Sequence, residues 1–211
     1  MNFYLLTLVM RQIKNETDKK LKNFMLENEK NKMSILGTKE ETLKGKKSLV
    51  IYFSHTGENY MSDGIRNIDK ENTEIVAETI RDITGADLFK VETVKEYPYN
   101  YKECCDVAKE ELKTGERPKL KRYLNDISEY EVIYLCSPIW WNYMPNAMLS
   151  QLEKLDFTGK IVKYVITHEG SGIGNCYKNV EKYCNGADIR KGLAIRGSFV
   201  NNAKETIAEW I

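Results

Sequence analysis

A loop of small hydroxyl-bearing residues follows the first strongly apolar segment of the chain. That segment ends at Ser54, where the sequence SHTGEN begins. The hydroxyls of Ser54 and Thr56 can donate to phosphate oxygens, and Gly57 permits a turn whose backbone N–H groups point inward. Asn72 and Thr73 open the next predicted helix and could add an amide, a hydroxyl and helix-terminal N–H groups. These residue types predict a phosphate site, and a turn that only caps the helix is the alternative.

The two halves of this phosphate site are separated by ENYMSDGIRNIDKE, residues 58–71. Within that segment Asp63–Gly64 is a tight-turn pair, and the flanking NYMS and IRNI have the length of short strands. The pattern predicts a β-hairpin that leaves the site and returns to it. The motif GxxxxGK[ST] of NTP-hydrolysing loops and the dinucleotide motif GxGxxG do not occur here.

A second loop, SPIWWNYMPNAM, places two adjacent tryptophans between Pro138 and Pro145. An exposed Trp pair is costly in water, but it suits stacking on a flat ring or lining a pocket. The alternative is that the rings cover the core, and we expect one of them to do so.

A third loop, THEGSGIG, carries glycines at positions 170, 172 and 174, which let the backbone approach a ligand closely. Thr167 and Ser171 add hydroxyls. His168 alone is a weak indication, because a single loop histidine is more often a surface residue. The GxSxG nucleophile elbow is missing from this loop, which disfavours Ser–His–Asp hydrolysis.

Alternating strands and helices should bring the three loops together. Strands are predicted at 49–54, 86–92, 131–137, 160–167 and within 188–197, and helices at 73–85, 101–115, 146–156, 174–184 and 201–211. This alternation predicts an α/β fold, a three-layer doubly wound five-stranded parallel sheet. Each loop follows a strand, and ligands bind at the carboxyl ends of such strands. A phosphate cradle, an aromatic wall and a glycine-rich wall together suit flavin mononucleotide (FMN).

The composition limits the alternatives. The chain has 211 residues, 42% of them hydrophobic, and no apolar run long enough to span a membrane. Its five cysteines form no CxxC pair, so we expect reduced thiols rather than zinc or disulfides, with Cys136 in the core. No export signal is recognisable, and we expect a cytoplasmic protein.

Residues 1–47 differ from the rest of the chain. They carry 11 Lys and Arg against 6 Asp and Glu, whereas the remainder carries 21 against 25. An acidic body argues against nucleic-acid binding. We interpret residues 1–47 as a basic extension, helical or disordered, or as the product of a start assigned upstream of Met33. A surface-lying membrane anchor is the alternative, built on Phe3, Leu5, Leu6, Leu8 and Val9.

Residues 48–211 resemble the flavodoxins, and specifically bacterial flavodoxin-like proteins whose phosphate loop is split here into TG and NT. The matching motifs, in chain order, are VIYFSHTG, NTEIVAE, GADLFKVE, YPYNY, PIWWN, THEGSGIG and LAIRGSFVNNA. The resemblance implies a flavodoxin-like fold with strand order 2-1-3-4-5. It also implies one noncovalently bound FMN that serves electron transfer.

The resemblance assigns residues to the FMN site by position. The phosphate group would be held by Ser54, His55 through its backbone, Thr56, Gly57, Asn59, Asn72 and Thr73. The ribityl chain and ring would be lined by Pro138, Ile139, Trp140, Trp141 and Asn142. The other wall would be formed by Thr167, His168, Glu169, Gly170, Ser171 and Gly172.

The implied function is that of an FMN-binding electron carrier that meets redox partner proteins transiently, as a monomer or homodimer. The alternative is an FMN-dependent NAD(P)H:flavin or quinone oxidoreductase. One departure from the family pattern bears on the chemistry: Glu169 stands where the resemblance suggests glycine. Its negative charge should lower the reduction potential of a nearby flavin.

Overall fold

Strands and helices alternate along residues 43, 45–68 and 70–211, which the computed structural model of the protein describes. These residues belong to one unit, Leu43–Ile211. In chain order the elements are β1 (Ser48–Tyr52), β2 (Glu58–Met61), β3 (Gly64–Asn67), α1 (Asn72–Thr84), β4 (Asp87–Lys90), α2 (Tyr101–Thr114), β5 (Val132–Pro138), α3 (Asn146–Leu152), β6 (Ile161–His168), α4 (Cys176–Tyr183), β7 (Asp188–Ile189), β8 (Leu193–Arg196), a 3-10 helix (Gly197–Asn202) and α5 (Lys204–Trp210).

The main sheet is parallel and has the order β4-β1-β5-β6, with both β7 and β8 pairing with β6. With the β2–β3 hairpin set aside, this is the predicted order 2-1-3-4-5. The fifth position differs from the prediction because two short strands occupy it. Gly192 lies between them, and a Cβ there would fall 2.2 Å from the Tyr164 ring. The close passage of the backbone over that ring interrupts the strand.

The sheet is covered on both faces, which confirms the three-layer architecture. Leu49 and Ile51 of β1 enter one core cluster, and Val50 and Tyr52 enter the other. Alternate residues of a strand point to opposite faces, so an internal strand of a covered sheet is apolar throughout. Helices α3 and α4 pack into the first cluster, and α1 and α5 into the second.

Most helix ends lie where the sequence predicts them. Gly85 and Gly115 adopt left-handed backbone conformations and end α1 and α2. The last helix begins later than predicted, because the 3-10 helix takes up Gly197–Asn202. The N-cap of α5 is Ala203.

The predicted hairpin is confirmed, with its turn shifted by one residue. β2 and β3 pair antiparallel with Met61 opposite Gly64, so Ser62 and Asp63 form the turn. The hairpin is attached to the N-terminus of α2 through Glu58. The backbone N–H of Glu58 donates to Tyr99 O at 2.9 Å, and its carboxylate accepts from the Tyr101 N–H at 2.9 Å.

The five cysteines are free thiols, and Cys136 is fully buried in β5, as expected. None of the helices in the described ranges is long and apolar enough to cross a membrane. The extension and its alternative, a membrane anchor, fall on residues 1–47, which lie outside the described residues apart from 43 and 45–47.

Candidate functional site

A cavity of about 630 Å³ opens at the carboxyl edge of the parallel sheet. Its walls come from the loops after β1, β5 and β6, from the N-terminus of α1, from the hairpin and from α2. The volume falls in the range of small-molecule sites, about 300–1,000 Å³.

Fourteen of the eighteen predicted site residues line this cavity. They are Ser54, His55, Asn59, Asn72, Thr73, Pro138, Ile139, Trp140, Trp141, Thr167, His168, Glu169, Gly170 and Ser171.

Four predicted residues, Thr56, Gly57, Asn142 and Gly172, lie outside the lining of the large cavity. Thr56 borders a smaller neighbouring cavity of about 180 Å³. Asn142 packs against Gly174, where an added Cβ would fall 2.2 Å from its Oδ1. The Asn142 side chain therefore contacts the loop after β6, at Gly174, and not the large cavity.

Two buried hydroxyls join the start of α1 to the end of β6. Thr73 Oγ1 and Thr167 Oγ1 lie 2.7 Å apart, and both residues are buried. Only one hydroxyl proton can occupy that bond, so the other remains available to an oxygen in the cavity. The N-cap residue of α1, Glu71, makes no side-chain capping bond, so its own carboxylate does not occupy the helix-terminal N–H groups.

The acidic side chains at this helix end are paired. Lys90 Nζ lies 3.0 Å from the Glu71 carboxylate and 3.2 Å from that of Glu74. Glu71 is buried, so its ion pair with Lys90 limits the repulsion that an anion at the start of α1 would meet.

The loop after β1 depends on Gly57. Its φ is 114°, and a Cβ at this position would fall 2.6 Å from the backbone oxygen of Tyr99. Any side chain here would push the loop away from Tyr99. Asn59 Nδ2 donates to Gly57 O at 3.0 Å and holds the loop in this shape.

Trp140 anchors an aromatic wall. Its ring makes edge-to-face contacts with Phe53, His55 and Tyr97, at centroid distances of 5.4, 5.8 and 4.9 Å. Trp140 also packs against the core, which confirms that one tryptophan of the pair covers it. Burial lowers the pKa of His55, and its buried Nε2 has no hydrogen-bond partner in the described part of the chain.

Trp141 occupies a strained turn. The backbones of Trp140 and Tyr143 bond each other in both directions, at 2.9 and 3.0 Å. The two residues between them have positive φ, 48° at Trp141 and 72° at Asn142, as in a type I′ turn. Asn tolerates this conformation, but for Trp it costs about 1–2 kcal/mol. The Trp141 Nε1–H donates to Cys105 O at 2.9 Å, which fixes the ring against α2.

Glu169 connects the loop after β6 to the 3-10 helix. Its carboxylate accepts from the Ser198 N–H at 2.6 Å and from the Ser198 hydroxyl at 2.7 and 2.8 Å. The next residue, Gly170, donates its N–H to His168 Nδ1 at 2.9 Å. Burial lowers the pKa of His168, and the nearby Arg196 charge acts in the same direction.

Sequence reasoning identified only part of the lining that the hairpin and α2 contribute. Asn59 and Tyr60 of the hairpin and Tyr101 of the YPYNY motif are recognisable from the sequence as candidate ligand contacts, and all three line the cavity. The residues it missed are Glu58, Cys104, Cys105, Asp106 and Ala108, together with Gly197 beside the 3-10 helix. Among the missed residues a signal existed only for Gly197, a lone glycine after the last strand. A Cβ there would fall 2.4 Å from Asn72 Nδ2. The α2 residues belong to an ordinary amphipathic helix, and periodicity does not reveal that its face borders a cavity.

The cavity lining is acidic. Three carboxylates, Glu58, Asp106 and Glu169, line the cavity, and no Lys or Arg of the described ranges does. A phosphate group in this cavity would be held by hydroxyls, amides and helix-terminal N–H groups rather than by a cation.

The parallel sheet order and the cavity at its carboxyl edge define a flavodoxin-like α/β protein. Residues 46–211 match the family model described as flavodoxin, so the chain belongs to the flavodoxin family. No curated protein matches the sequence.

Several solved structures resemble this fold. A protein from Bacteroides uniformis assigned as a flavoprotein is 27% identical, with a TM-score of 0.63 over 79% of this chain and 98% of that one. A similarly assigned protein from Bacteroides eggerthii is 25% identical, with a TM-score of 0.56 over 78% and 99%. A flavoprotein from Lactobacillus acidophilus, solved in complex with FMN, is 20% identical, with a TM-score of 0.52 over 75% and 98%.

Proposed function

We propose that this protein binds one FMN noncovalently in the large cavity and serves as an electron-transfer protein. One observation carries the proposal. The buried Thr73–Thr167 hydroxyl pair, the N-terminus of α1 without a side-chain cap, and the Trp140 ring all border the same cavity. The first two features suit a phosphate group, and the aromatic wall suits a flat ring.

The residues present suit FMN in shape as well as in chemistry. Gly57 and Gly197 keep the backbone close where a Cβ would collide. The donors offered to a phosphate are hydroxyls and amides, which hydrogen-bond a phosphate without a positively charged side chain.

We assign the phosphate group to Ser54, the His55 backbone, Asn72 and Thr73, with Thr56, Gly57 and Asn59 shaping that loop. Pro138, Ile139, Trp140, Trp141 and Asn142 would form or support one wall, and Thr167, His168, Glu169, Gly170, Ser171 and Gly172 the other. Bound FMN supplies the redox chemistry. The protein binds it, orients it and limits the access of water.

An electron carrier is favoured over an NAD(P)H-dependent oxidoreductase by the charge of the cavity. NAD(P)H brings several phosphate charges, and no lysine or arginine in the described part of the chain lines the cavity to meet them. Redox partner proteins would instead dock transiently through small, charge-steered contacts. Rapid bleaching of the bound flavin by NAD(P)H alone, followed by turnover on a quinone, would support the oxidoreductase.

The proposal is tested by the visible spectrum of the purified protein. We expect the absorption bands of an oxidised flavin, or their appearance when FMN is added to flavin-free protein. A colourless protein that takes up no FMN would contradict the proposal.

A pair of variants locates the site. Thr73→Val keeps the shape of the side chain but removes the buried hydroxyl, and we expect FMN to bind about tenfold to a hundredfold more weakly, since a hydrogen bond to a charged group contributes about 1.5–3 kcal/mol. Thr79→Val is the control, because the Thr79 hydroxyl bonds Ile75 O within the same helix at 2.8 Å. Equal FMN affinity in both variants would place the phosphate group elsewhere.

A further inference from the structure

The β2–β3 hairpin forms one wall of the cavity but stands apart from the main sheet. Glu58, Asn59 and Tyr60 of β2 line the cavity. The hairpin is a separate two-stranded sheet, and each of its strands has only four residues. An isolated two-stranded hairpin is marginally stable at best in water, so its order depends on what it packs against.

The hairpin is bonded to the body of the protein through β2. Among the described residues, no hydrogen bond or ion pair joins β3 to a residue outside the hairpin. Three of the four β3 residues are exposed. At the far end of β2, Asn72 Nδ2 lies 3.8 Å from Met61 Sδ, and sulfur is a weak acceptor. The outer strand therefore adds little to hold the hairpin in place.

Glu58 makes the strong part of the attachment. Its backbone N–H donates to Tyr99 O at 2.9 Å. Its carboxylate oxygen Oε2 accepts from the Tyr101 N–H at 2.9 Å and from Asn100 Nδ2 at 2.8 Å. The carboxylate therefore lies at the N-terminus of α2, where the helix dipole favours a negative charge. Because three bonds meet at one residue, a change beside this carboxylate should release much of the hairpin.

The base of the hairpin can act as a hinge. Gly57, the residue before β2, has a φ of 114°, and glycine permits backbone rotations that other residues resist. Hinges of moving loops are a few positions that absorb such changes. Rotation at Gly57 would move three lining residues away together and widen the mouth of the cavity.

The bonds that hold the hairpin run between protein groups only. They can form whether or not the cavity contains a ligand, so closure is about equally favourable in both states. An equilibrium that a ligand does not bias leaves the affinity of that ligand unchanged. Such a closure slows the entry and the exit of a ligand by the same factor.

We propose that the hairpin is a gate over the cavity, held shut by Glu58, which sets the rates at which FMN enters and leaves rather than its affinity. The inference rests on the proposed function, since FMN is the ligand whose passage the gate controls. Glu58 is then a positioning residue that acts through the hairpin.

Asn100→Asp is the variant that should open the gate. It replaces the Nδ2 donor by a carboxylate that repels Glu58. It retains the cap of α2, because Asn100 caps through Oδ1, which accepts from the Glu103 N–H at 3.2 Å, and aspartate caps equally well. Asn100 also lies outside the cavity lining.

Stopped-flow mixing of FMN with flavin-free protein gives the association rate constant. Release of bound FMN to an excess of another flavin-binding protein gives the dissociation rate constant. In mildly alkaline buffer we expect Asn100→Asp to raise both at least about tenfold, the effect of losing a hydrogen bond to a charged group. The dissociation constant should change by less than about threefold.

A second substitution should close the gate again. When Glu58→Gln is combined with Asn100→Asp, the glutamine amide can donate to the new carboxylate, and the total charge equals that of the wild type. Both rate constants should return to within about threefold of the wild-type values. Asn125→Asp is the control for added charge, at an exposed position outside the cavity lining, and should leave both rates unchanged.

Hydrogen exchange of the flavin-free proteins adds a readout that does not depend on FMN. The hairpin amides should exchange faster in Asn100→Asp than in the wild type. A wild-type protein that binds no FMN would contradict the proposed function itself. With FMN bound, any of three results overturns the gate: unchanged rates in Asn100→Asp, a rise in its dissociation rate alone, or no slowing in the double variant.

Discussion

Glu169 combines a structural contact with a charge at the cavity wall. Sequence reasoning noticed the charge, because glutamate replaces the glycine that the family resemblance suggests. It did not reveal the bonds to Ser198, which is 29 residues away along the chain. Contacts of this kind depend on how the end of β6 meets the 3-10 helix, and neither local spacing nor hydrophobic periodicity encodes that meeting.

The charge of Glu169 should influence a bound flavin. We expect Glu169→Gln to raise the reduction potential of FMN, on the order of tens of millivolts, because a nearby negative charge disfavours adding an electron. A spectroscopic redox titration of the FMN-loaded variant measures this shift.

Ser198→Ala is the matched control for that titration. It removes the hydroxyl that bonds Glu169 but keeps the carboxylate charge and the backbone N–H donor. Its potential should not rise. If both variants raise the potential equally, the bonds to Ser198 and not the charge account for the effect.

The turn at Trp141 shows what sequence analysis captures of an element and what it misses. The Trp pair predicts a pocket wall, and the cavity lining includes both rings. The sequence does not predict a type I′ turn at Trp141–Asn142. Trp rarely adopts positive φ, and the usual signal for this turn is an Asn-Gly or Asp-Gly pair. The same limit applies to the fifth strand, which is split where Gly192 passes the Tyr164 ring.

Positive φ at Trp141 predicts an inverted order of stability for two small substitutions. We expect Trp141→Gly to be more stable to unfolding than Trp141→Ala by about 1 kcal/mol, because only glycine adopts this conformation without strain. At Tyr143, which has no positive φ, the alanine variant should be the more stable of the two. Urea unfolding of the four variants measures the differences, and alanine being more stable at both positions would rule out strain at Trp141.

At the scale of the whole molecule, the architecture was predictable because local patterns and global layers agree. The β1 segment is apolar on both faces and lies inside a sheet that is covered on both sides. Helices α3 and α4 cover one face of this sheet, and helices α1 and α5 cover the other. The loops after strands therefore meet at one edge whatever their own sequences are. Which face of α2 borders the cavity depends on how the layers pack together. The sequence pattern does not determine that packing.

The start of the folded unit is the remaining question at this scale. Sequence patterns place it at residue 48, whereas the family match begins at residue 46 and the compact unit at Leu43. Leu43 packs against the core cluster that contains Val50 and Tyr52. Lys46 pairs with Glu131 at 2.9 Å, and the Lys46 N–H donates to Leu43 O at 3.2 Å.

Two shortened chains should therefore behave differently. A chain of residues 43–211 should bind FMN with the same affinity as the full chain. It should also unfold at the same urea concentration and with the same m-value. A chain of residues 48–211 with an initiating methionine should fold but be less stable by about 1 kcal/mol, since it loses the packing of the half-buried Leu43. An initiating methionine restores the carbonyl that accepts from the Glu131 N–H at 2.8 Å, so this hydrogen bond is not lost. Reduced stability or FMN affinity in the 43–211 chain would instead show that residues 1–42 contribute to the flavodoxin-like unit.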